Sequence, residues 1–322
     1  MSAALWDEKV AVTGATGFVG KHLAPALLSS GARTVILGRS CERDFDHYRD
    51  GMRQVAFDLT DEEGMVDVLR RERPQILLHL AGTRGHGAAD KRNAECLEVN
   101  FYATARLLKA ATRAGIRRIV IIGSAEEYGN QPGPLHETLL ARPATPYGVS
   151  KARATEFAVD MHKRNGCPVV ILRPFTVYGP GQPPDMFVAE AVESAVRNVP
   201  FPMSKGEQRR DLIFIEDVVK AIMAAASKPG IEGRVINVGT GKSRRLRDVA
   251  ESIWKIAGAS SPLLIGARHA TADQLYDTWA DTALAKDVLA FESEVDLKTG
   301  LQKTIERAKL QSSERAKSCQ VM

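Results

Sequence analysis

The sequence predicts an α/β fold in which helices cover both faces of a parallel β-sheet. Short apolar runs rich in β-branched residues alternate along the first half of the chain with longer stretches of helical periodicity. The runs are KVAVT (9–13), TVIL (34–37), QVAF (54–57), QILLHL (75–80), RIVII (118–122) and PVVIL (168–172). Strands that are apolar throughout and separated by helices are typical of a parallel sheet buried on both faces. We therefore expect a doubly wound sheet.

Helices are predicted between most of these strands, and the pattern changes after Arg173. The early helical stretches are 21–30, 60–73, 93–114 and 147–165. Beyond Arg173 come a loop rich in Pro and Gly, helices at 187–198 and 246–257, strand-like runs at 212–215 and 235–238, and a polar C-terminal helix. We expect a first domain of 1–174 with parts of 209–242, and a smaller, discontinuous second lobe of 175–208 and 243–322.

Composition excludes several classes of protein. The 322 residues carry 44 basic and 39 acidic side chains, a formal net charge of +5, without the long basic block of a nucleic-acid-binding arm. No apolar run reaches the roughly 18 residues of a membrane span, and the N-terminus lacks the apolar core of a signal peptide. Four scattered cysteines without a CxxC pair predict no metal site and a reduced, cytoplasmic setting.

A glycine-rich segment, TGATGFVG (13–20), joins the first strand to the first helix. Gly14, Gly17 and Gly20 allow a tight turn, a close backbone approach to a pyrophosphate and close packing of helix on sheet. The free N–H groups of the helix that opens with Phe18 and Val19 attract the same anion. The position directly after the first strand predicts a Rossmann-type domain that binds a dinucleotide.

The end of the second strand bears on the choice of dinucleotide. An acidic residue normally binds the adenosine ribose there, but this chain reads Leu37-Gly38-Arg39-Ser40. Arg39 favours NADP over NAD, unless it is solvated or stacks on the adenine while another group holds the ribose. Asp58 and Leu59, after the third strand, are placed to meet the adenine.

Tyr147 and Lys151 lie four positions apart at the start of a predicted helix, so a phenol and an ammonium share one face. A charge roughly 5 Å away at an effective dielectric near 20 favours the phenolate by about 3 kcal/mol, and a positively charged cofactor ring acts in the same direction. We therefore expect a tyrosine with a pKa near neutrality, which suits a general base. Ser124, at the end of a strand, and Asn100 are further polar candidates for this site.

The motifs taken together resemble the extended short-chain dehydrogenase/reductases of the nucleotide-sugar epimerase/dehydratase group. They are TGATGFVG, HLAG (79–82), Asn100, GSAEEYG (123–129), PYGVSK (146–151), LRPFTVYGPGQ (172–182) and RRDLIFIEDV (209–218). The resemblance implies that Tyr147 is the base, Lys151 its ribose-binding partner and Ser124 a hydroxyl donor, with hydride passing from a sugar C4 to bound NAD. It also assigns cofactor contacts to Leu80, Ala81, Gly82, Asn100 and Pro174.

Glu126 favours a dehydratase within this group. Dehydratases and some decarboxylases carry a catalytic glutamate at the matching position, whereas simple 4-epimerases usually have a small residue. Ala125 and Glu127 depart from the hexose 4,6-dehydratase pattern, and these departures resemble the UDP-N-acetylglucosamine 5,6-dehydratase type of tunicamycin-like antibiotic pathways. A 4-epimerase, an NADPH-dependent 4-keto-6-deoxy-sugar reductase and a non-catalytic nucleotide-binding scaffold stay open as alternatives, and Glu126 could also be a solvated loop carboxylate.

The resemblance also suggests how the nucleotide-diphosphate sugar, with UDP favoured, is bound. Arg210 matches the family's phosphate-binding arginine, with Arg209 as the competing candidate, and Arg268 and Asp273 stand near a second phosphate-binding position. Thr176, Phe201 and Met203 are expected to touch the base or sugar, or else to belong to the core of the second lobe. Pairing of helices 93–114 and 147–165 in a homodimer is expected by the same resemblance.

Overall fold

The computed structural model describes residues 5–38, 52–85, 88–269 and 277–319. Arg39 and Asp273, both predicted site residues, lie outside these ranges. Within the described ranges, no helix combines the length and the apolar character needed to cross a bilayer.

Thirteen strands and ten α-helices make up the described part of the chain. The strands are β1 (Lys9–Thr13), β2 (Arg33–Gly38), β3 (Met52–Ala56), β4 (Ile76–His79), β5 (Arg118–Ile122), β6 (Val169–Pro174), β7 (Thr176–Tyr178), β8 (Phe201–Met203), β9 (Arg209–Phe214), β10 (Val235–Val238), β11 (Ser243–Arg245), β12 (Leu263–Ile265) and β13 (Asp277–Thr278). The helices are α1 (Phe18–Ser29), α2 (Glu62–Glu72), α3 (Ala89–Cys96), α4 (Ala103–Arg113), α5 (Pro146–Asn165), α6 (Phe187–Val196), α7 (Ile215–Ser227), α8 (Leu246–Ala257), α9 (Ala283–Leu289) and α10 (Leu297–Cys319). A π-helical segment, Leu97–Tyr102, joins α3 to α4, and a 3-10 turn, Ala125–Tyr128, follows β5.

Seven parallel strands form the main sheet in the order β3-β2-β1-β4-β5-β6-β10. One face packs against α1, α7 and α9 through residues such as Leu27, Ile222 and Leu289. The other face packs against α2, α4 and α5, with Leu69 and Leu107 in its core. Because both faces are covered, the strands are apolar along their whole length. The predicted fold class is confirmed.

The second lobe is built on a smaller sheet in which β7, β11 and β13 all pair with β9. A separate pair, β8 and β12, lies beside it. Helices α6, α8 and α10 bury their apolar sides in one core with these strands, which includes Phe201, Met203, Phe214 and Ile253. This core accounts for the loss of regular alternation after Arg173.

The structure differs from the sequence-based prediction in three places. The helix expected over 93–114 is α3, the π-helical segment and α4 in succession. The strand-like run at 212–215 ends at Phe214, and α7 begins at the next residue. Residues 283–289, within the segment assigned to the second lobe, form the unpredicted helix α9, which packs on the first core. The exact division into domains and the homodimer stay predictions.

Asp211 links the two sheets. Its side chain is fully buried and accepts hydrogen bonds from the backbone N–H groups of Thr240, Gly241 and Ala280 and from the Thr240 hydroxyl, at 2.6–3.2 Å. One carboxylate on β9 therefore fixes the segment that leaves β10 and the segment that follows β13.

We expect Asp211→Ala to lower the free energy of unfolding by about 3 kcal/mol, because three buried N–H groups lose their acceptor. Chemical denaturation at neutral pH measures this. Asp248→Ala is the control, since Asp248 is exposed and pairs with Arg245 at the surface, and it should cost less than about 1 kcal/mol. Equal losses in the two variants would contradict the linking role of Asp211.

Candidate active site

The candidate site lies at the carboxyl edge of the main sheet, where β1, β4, β5 and β6 end side by side. The glycine-rich loop follows β1, Leu80 to Gly82 follow β4, Ser124 follows β5, and Pro174 ends β6. In open parallel sheets, ligands bind at this edge. The structure thus brings most of the predicted residues to one place.

The glycine-rich loop has the shape of a phosphate cradle. Gly14 has a φ of +73°, and a Cβ there would lie 2.5 Å from the backbone nitrogen of Ala81. A Cβ on Gly20 would lie 2.4 Å from the Gly14 carbonyl oxygen. Gly17 caps α1 without a side-chain hydrogen bond, and the first turn carries no acidic residue. The N-terminus of α1 therefore offers its N–H groups to an anion, which fits a pyrophosphate.

A buried hydrogen-bond chain lies beneath the site and connects β1 with the π-helical segment. Thr13 Oγ1 is 2.7 Å from His79 Nδ1, and His79 Nε2 is 2.9 Å from Thr104 Oγ1. The Thr104 hydroxyl donates to the Asn100 carbonyl, so His79 Nε2 must donate to Thr104 and Nδ1 must accept from Thr13. Burial, helped by the charge of Lys151, lowers the pKa of His79 to about 3. His79 is therefore a neutral structural residue.

Asn100 acts on the loop after β4. Its amide donates to the Thr83 carbonyl and to Ser150 Oγ, and its oxygen accepts from the Thr83 N–H. Both amide hydrogens are thus used inside the protein. The π-helical segment turns Asn100 into this position, a common use of π-bulges at functional sites. The structure supports Asn100 as an anchor for the loop and for α5, while its predicted cofactor contact stays a prediction.

Gly148 and Ser150 lie at the start of α5 although neither favours a helix, and their contacts explain their presence. A Cβ on Gly148 would lie 2.6 Å from the Glu126 carbonyl oxygen, so only glycine lets α5 approach the 3-10 turn this closely. Ser150 accepts the bond from Asn100 and donates to the Tyr147 carbonyl at 2.8 Å. Thr145 caps the helix by accepting from the Gly148 N–H. Packing has decided this stretch against helix propensity.

Tyr147 and Lys151 lie together as predicted, but the charges of the protein alone do not lower the pKa of the phenol. The Lys151 ammonium is 5.8 Å from the centre of the Tyr147 ring and donates to the Ile122 carbonyl at 2.8 Å. Desolvation first, and then the charge of Glu126, raise the pKa of Tyr147 to about 12. Desolvation also lowers the pKa of Lys151 to about 8, against the charge of Glu127. Burial outweighs the attraction on which the prediction was based.

Ser124 and Glu126 lie on the 3-10 turn beside Tyr147. Ser124 Oγ accepts from the Glu126 N–H at 3.1 Å, and its hydroxyl donates to the Tyr147 phenol, a hydrogen bond that acts to lower the pKa of Tyr147. The Glu126 carboxylate accepts from the Thr145 hydroxyl at 2.7 Å and lies 3.4 Å from the guanidinium of Arg84. Only a fifth of its side chain is exposed. Glu126 is thus a fixed carboxylate of the site and not a solvated loop residue.

Glu127 and Arg173 form a buried ion pair under the 3-10 turn. Glu127 is fully buried, accepts from the Ser124 N–H at 2.8 Å, and pairs with Arg173 at 2.7 Å. Arg173 lies over the ring of Tyr128, whose hydroxyl donates to Asn237. Glu127 therefore fixes the position of Ser124, which the sequence alone did not indicate.

Four of the predicted substrate residues fall into two groups. Arg210 and Thr176 are half-buried on neighbouring strands, β9 and β7, and the charge of Glu126 acts on the Arg210 guanidinium. Arg210 donates to the Arg209 carbonyl, and among the described side chains it forms no ion pair. Phe201 and Met203, in contrast, are 1% and 3% exposed in the core of the second lobe, the alternative that the sequence left open.

Three other predicted residues form hydrogen bonds or ion pairs within the protein. Arg268 forms a bidentate pair with Glu190 at the surface. Asp58 accepts from the N–H and the hydroxyl of Thr60, and the Leu59 carbonyl accepts from Arg106. Asp58 and Leu59 follow β3 at the carboxyl edge, as the adenine assignment requires. No group of His, Cys, Asp and Glu side chains in the described part of the chain could hold a metal ion.

Arg84 is a site residue that the sequence reasoning missed. It lies two positions after HLAG, with its guanidinium 5.2 Å from the centre of the Tyr147 ring. Its place just beyond β4, at the carboxyl edge, was the available signal. An arginine in such a loop is ordinarily solvated, so this signal was too weak to single out Arg84.

The chain is similar to known proteins over most of its length. Residues 10–239 match the NAD dependent epimerase/dehydratase family. A protein of Bacillus subtilis (strain 168), described as the uncharacterized UDP-glucose epimerase YtcB, is 30% identical over 307 residues, which cover 92% of this chain and 96% of the relative. A GDP-6-deoxy-D-mannose reductase of Pseudomonas aeruginosa is 29% identical, over 78% of this chain and 80% of the relative.

Solved structures are similar over nearly the whole chain. MoeE5 in complex with UDP-glucuronic acid and NAD has a TM-score of 0.85 and 34% identity, and the match covers 94% of this chain and 99% of MoeE5. The UDP-glucuronic acid 4-epimerase of Bacillus cereus, in complex with UDP-glucuronic acid and NAD, has a TM-score of 0.83 and 28% identity, with coverage of 94% and 99%.

We expect Gly148→Ala to destabilise the protein by about 1 kcal/mol, although alanine in a helix is ordinarily favoured over glycine by a similar amount. The added methyl must displace the Glu126 carbonyl, an overpacking cost of ~1–3 kcal/mol. Chemical denaturation measures the difference, with Val149→Ala as control because Val149 is exposed on the same turn. A Gly148→Ala protein more stable than the wild type would show that α5 does not press on the 3-10 turn.

Proposed function

Because the chain belongs to the NAD dependent epimerase/dehydratase family, we propose that it is a dehydratase of a UDP-hexose or UDP-hexosamine. The reaction proceeds through transient oxidation at the sugar C4 and ends in 5,6- or 4,6-dehydration. The observation that carries this proposal is the Glu126 carboxylate, which Thr145 and Arg84 hold beside Tyr147. Elimination of water needs an acid/base in addition to the tyrosine, and Glu126 is placed to be that group.

NAD is the cofactor of this family, and the residues present fit it. The cradle of Gly14, Gly17 and Gly20 with the uncapped N-terminus of α1 would hold the pyrophosphate, and Lys151 would hold the nicotinamide ribose. When bound, NAD supplies a hydride acceptor at C4 and a positive charge near the phenol. The choice between NAD and NADP turns on Arg39, which lies outside the described residues.

Tyr147 takes the proton of the C4 hydroxyl, and Ser124, whose hydroxyl bonds the phenol in the protein alone, would donate to the same sugar oxygen. With a pKa raised to about 12, Tyr147 is protonated in the protein alone, so it becomes a base only where a positive charge offsets its desolvation. Lys151 contributes to that charge while it is protonated, which its pKa of about 8 permits at neutral pH.

Glu126 performs the proton transfers that distinguish a dehydratase. Once C4 is a ketone, the hydrogen on C5 becomes acidic, because the negative charge left at C5 spreads onto the C4 oxygen. Glu126 takes this proton and gives it to the C6 hydroxyl, which leaves as water while a double bond forms between C5 and C6. The hydride removed from C4 would then return to C4, with a proton to its oxygen, in a 5,6-dehydration, or to C6, with a proton to C5, in a 4,6-dehydration. Arg210 would neutralise the diphosphate, as a half-buried guanidinium that forms no ion pair with any described side chain is suited to do.

A UDP-sugar 4-epimerase is the second candidate. The likeness to the 4-epimerase of Bacillus cereus and to MoeE5, each in complex with UDP-glucuronic acid, favours it. In that reaction the 4-ketone turns within the site and receives hydride on its other face. Glu126 would then bind a sugar hydroxyl and transfer no proton.

Incubation of the purified protein with a panel of nucleotide sugars in deuterated water, read by mass spectrometry and NMR, tests the proposal. We expect loss of water from a UDP-sugar without added reductant, and loss of all turnover in Tyr147→Phe. Glu126→Gln should stop dehydration, by at least about a hundredfold, but leave oxidation at C4 detectable, because proton transfer at C5 and C6 is separate from the C4 step. Inversion at C4 without dehydration would select the epimerase, and a strict need for NADPH the reductase.

We expect NAD affinity to be constant below a pH of about 8 and to fall above it. Bound ribose favours protonated Lys151, whose pKa desolvation lowers to about 8, so the ammonium is present below that pH and is lost above it. Fluorescence titration with NAD measures this affinity. A range of about pH 6.5 to 9.5 is suitable, because the other groups of the site keep their charge within it. Lys151→Met should bind weakly at every pH, and Lys91→Met, at an exposed lysine of α3, should keep the wild-type profile. A flat wild-type profile would remove Lys151 from NAD binding.

A further inference from the structure

Arg84 reaches the site from a loop that the protein holds rigidly. Its neighbour Thr83 is bound through its N–H and its carbonyl by Asn100, and its hydroxyl donates to Glu95 at 3.1 Å and accepts from the Gly85 N–H. Gly85 has a φ of +74°, and a Cβ there would meet Arg92 at 2.5 Å. A loop fixed at this many points presents Arg84 in one place.

The guanidinium of Arg84 contacts both proton-transfer groups of the proposed mechanism. It lies 3.4 Å from Glu126 Oε1 and 5.2 Å from the centre of the Tyr147 ring. Glu126 is held from its other oxygen by Thr145, so the carboxylate lies between a hydroxyl and a cation. Arg84 itself is about half exposed.

The charges around Tyr147 show what this arrangement does. Glu126 and Glu127 face the phenol from the 3-10 turn, Arg84 from the loop after β4, and Lys151 from α5. After desolvation, the charge of Glu126 is the largest cause that raises the pKa of Tyr147, and Arg84 is the largest that lowers it. The negative charge of Glu127 is shared with its buried partner Arg173. A carboxylate beside a phenol that must lose its proton works against catalysis unless a cation offsets it.

We propose that Arg84 is a positioning residue that offsets the charge of Glu126 at Tyr147, so that one site can hold both a carboxylate and an ionisable phenol. The proposal rests on the roles of Tyr147 and Glu126 given above. It explains why the cation contacts both groups and why its loop is anchored through Thr83. It also adds Arg84 to Lys151 and the cofactor ring, the two positive charges from which the sequence analysis expected a lower pKa of Tyr147.

A titration of residue 147 itself tests the proposal without any substrate. A fluorinated tyrosine incorporated at position 147 reports its own ionisation by fluorine NMR, and fluorine makes the phenol more acidic, which brings the midpoint into a range where the protein stays folded. We expect Arg84→Gln to raise the proton affinity of this phenol about tenfold, as a unit charge roughly 5 Å away in partly exposed surroundings should. Arg84→Lys should keep the wild-type midpoint, because the charge is retained.

The partner variants give the signature of an offset. Glu126→Gln should lower the proton affinity, and the double variant Arg84→Gln with Glu126→Gln should return close to the wild-type value. Lys91→Gln removes the same charge from an exposed position on α3 and should leave the midpoint unchanged. An unchanged midpoint in Arg84→Gln, or an equal rise in Lys91→Gln, would overturn the proposal.

The titration can fail while the proposed reaction stands, and the reverse is also possible. If Tyr147→Phe abolishes turnover and Arg84→Gln does not move the midpoint, the role of Arg84 fails while the function stands. If the midpoint moves as expected and Tyr147→Phe keeps full turnover, the offset is real and the catalytic role of Tyr147 is refuted. In the supported case, the acid limb of the pH–rate profile should shift in Arg84→Gln in the same direction as the midpoint.

Discussion

The contact between the first turn of α5 and the 3-10 turn after β5 determines the geometry of the whole site. Gly148 lies against the Glu126 carbonyl, where no larger residue fits. Thr145 caps the helix and holds the Glu126 carboxylate at the same time. One close backbone approach therefore places the phenol, the ammonium and the carboxylate within reach of a single sugar ring. Polar groups so close together are costly to desolvate, and this cost shifts the pKa values of Tyr147 and Lys151.

The electrostatic state of the site follows from burial more than from pairing. Desolvation raises the pKa of Tyr147 and lowers that of Lys151, so each group resists its charged form. A dry pocket also strengthens every interaction with a charge brought into it. The protein alone thus keeps the phenol unreactive, and reactivity depends on a cationic ligand beside it.

The sequence predicted the sheet well, and it named several residues that the structure brings together at the carboxyl edge, because both depend on local patterns. Apolar strands, a glycine-rich loop and the spacing of Tyr147 and Lys151 are readable without knowledge of long-range contacts. The expected low pKa of Tyr147 combined Lys151 with a positively charged cofactor ring and left out the desolvation that raises this pKa in the protein alone. The π-helical turn at Asn100 and the approach of Arg84 to Glu126 depend on contacts between distant segments. Nor could composition show that Phe201 and Met203 are buried in the second core.

The path of the chain at α9 has a consequence for the protein's evolution. After completing most of the second lobe, the chain returns to the first core, where Ala285, Leu289 and Phe291 are buried against α7 and β10. Strand β9 likewise carries Asp211, which binds segments of both sheets. The two lobes are therefore interwoven, and neither can be exchanged between relatives as one continuous segment of chain. A new sugar specificity in this scaffold must arise by substitution within loops and strands, while the chain that crosses between the lobes is inherited as a whole.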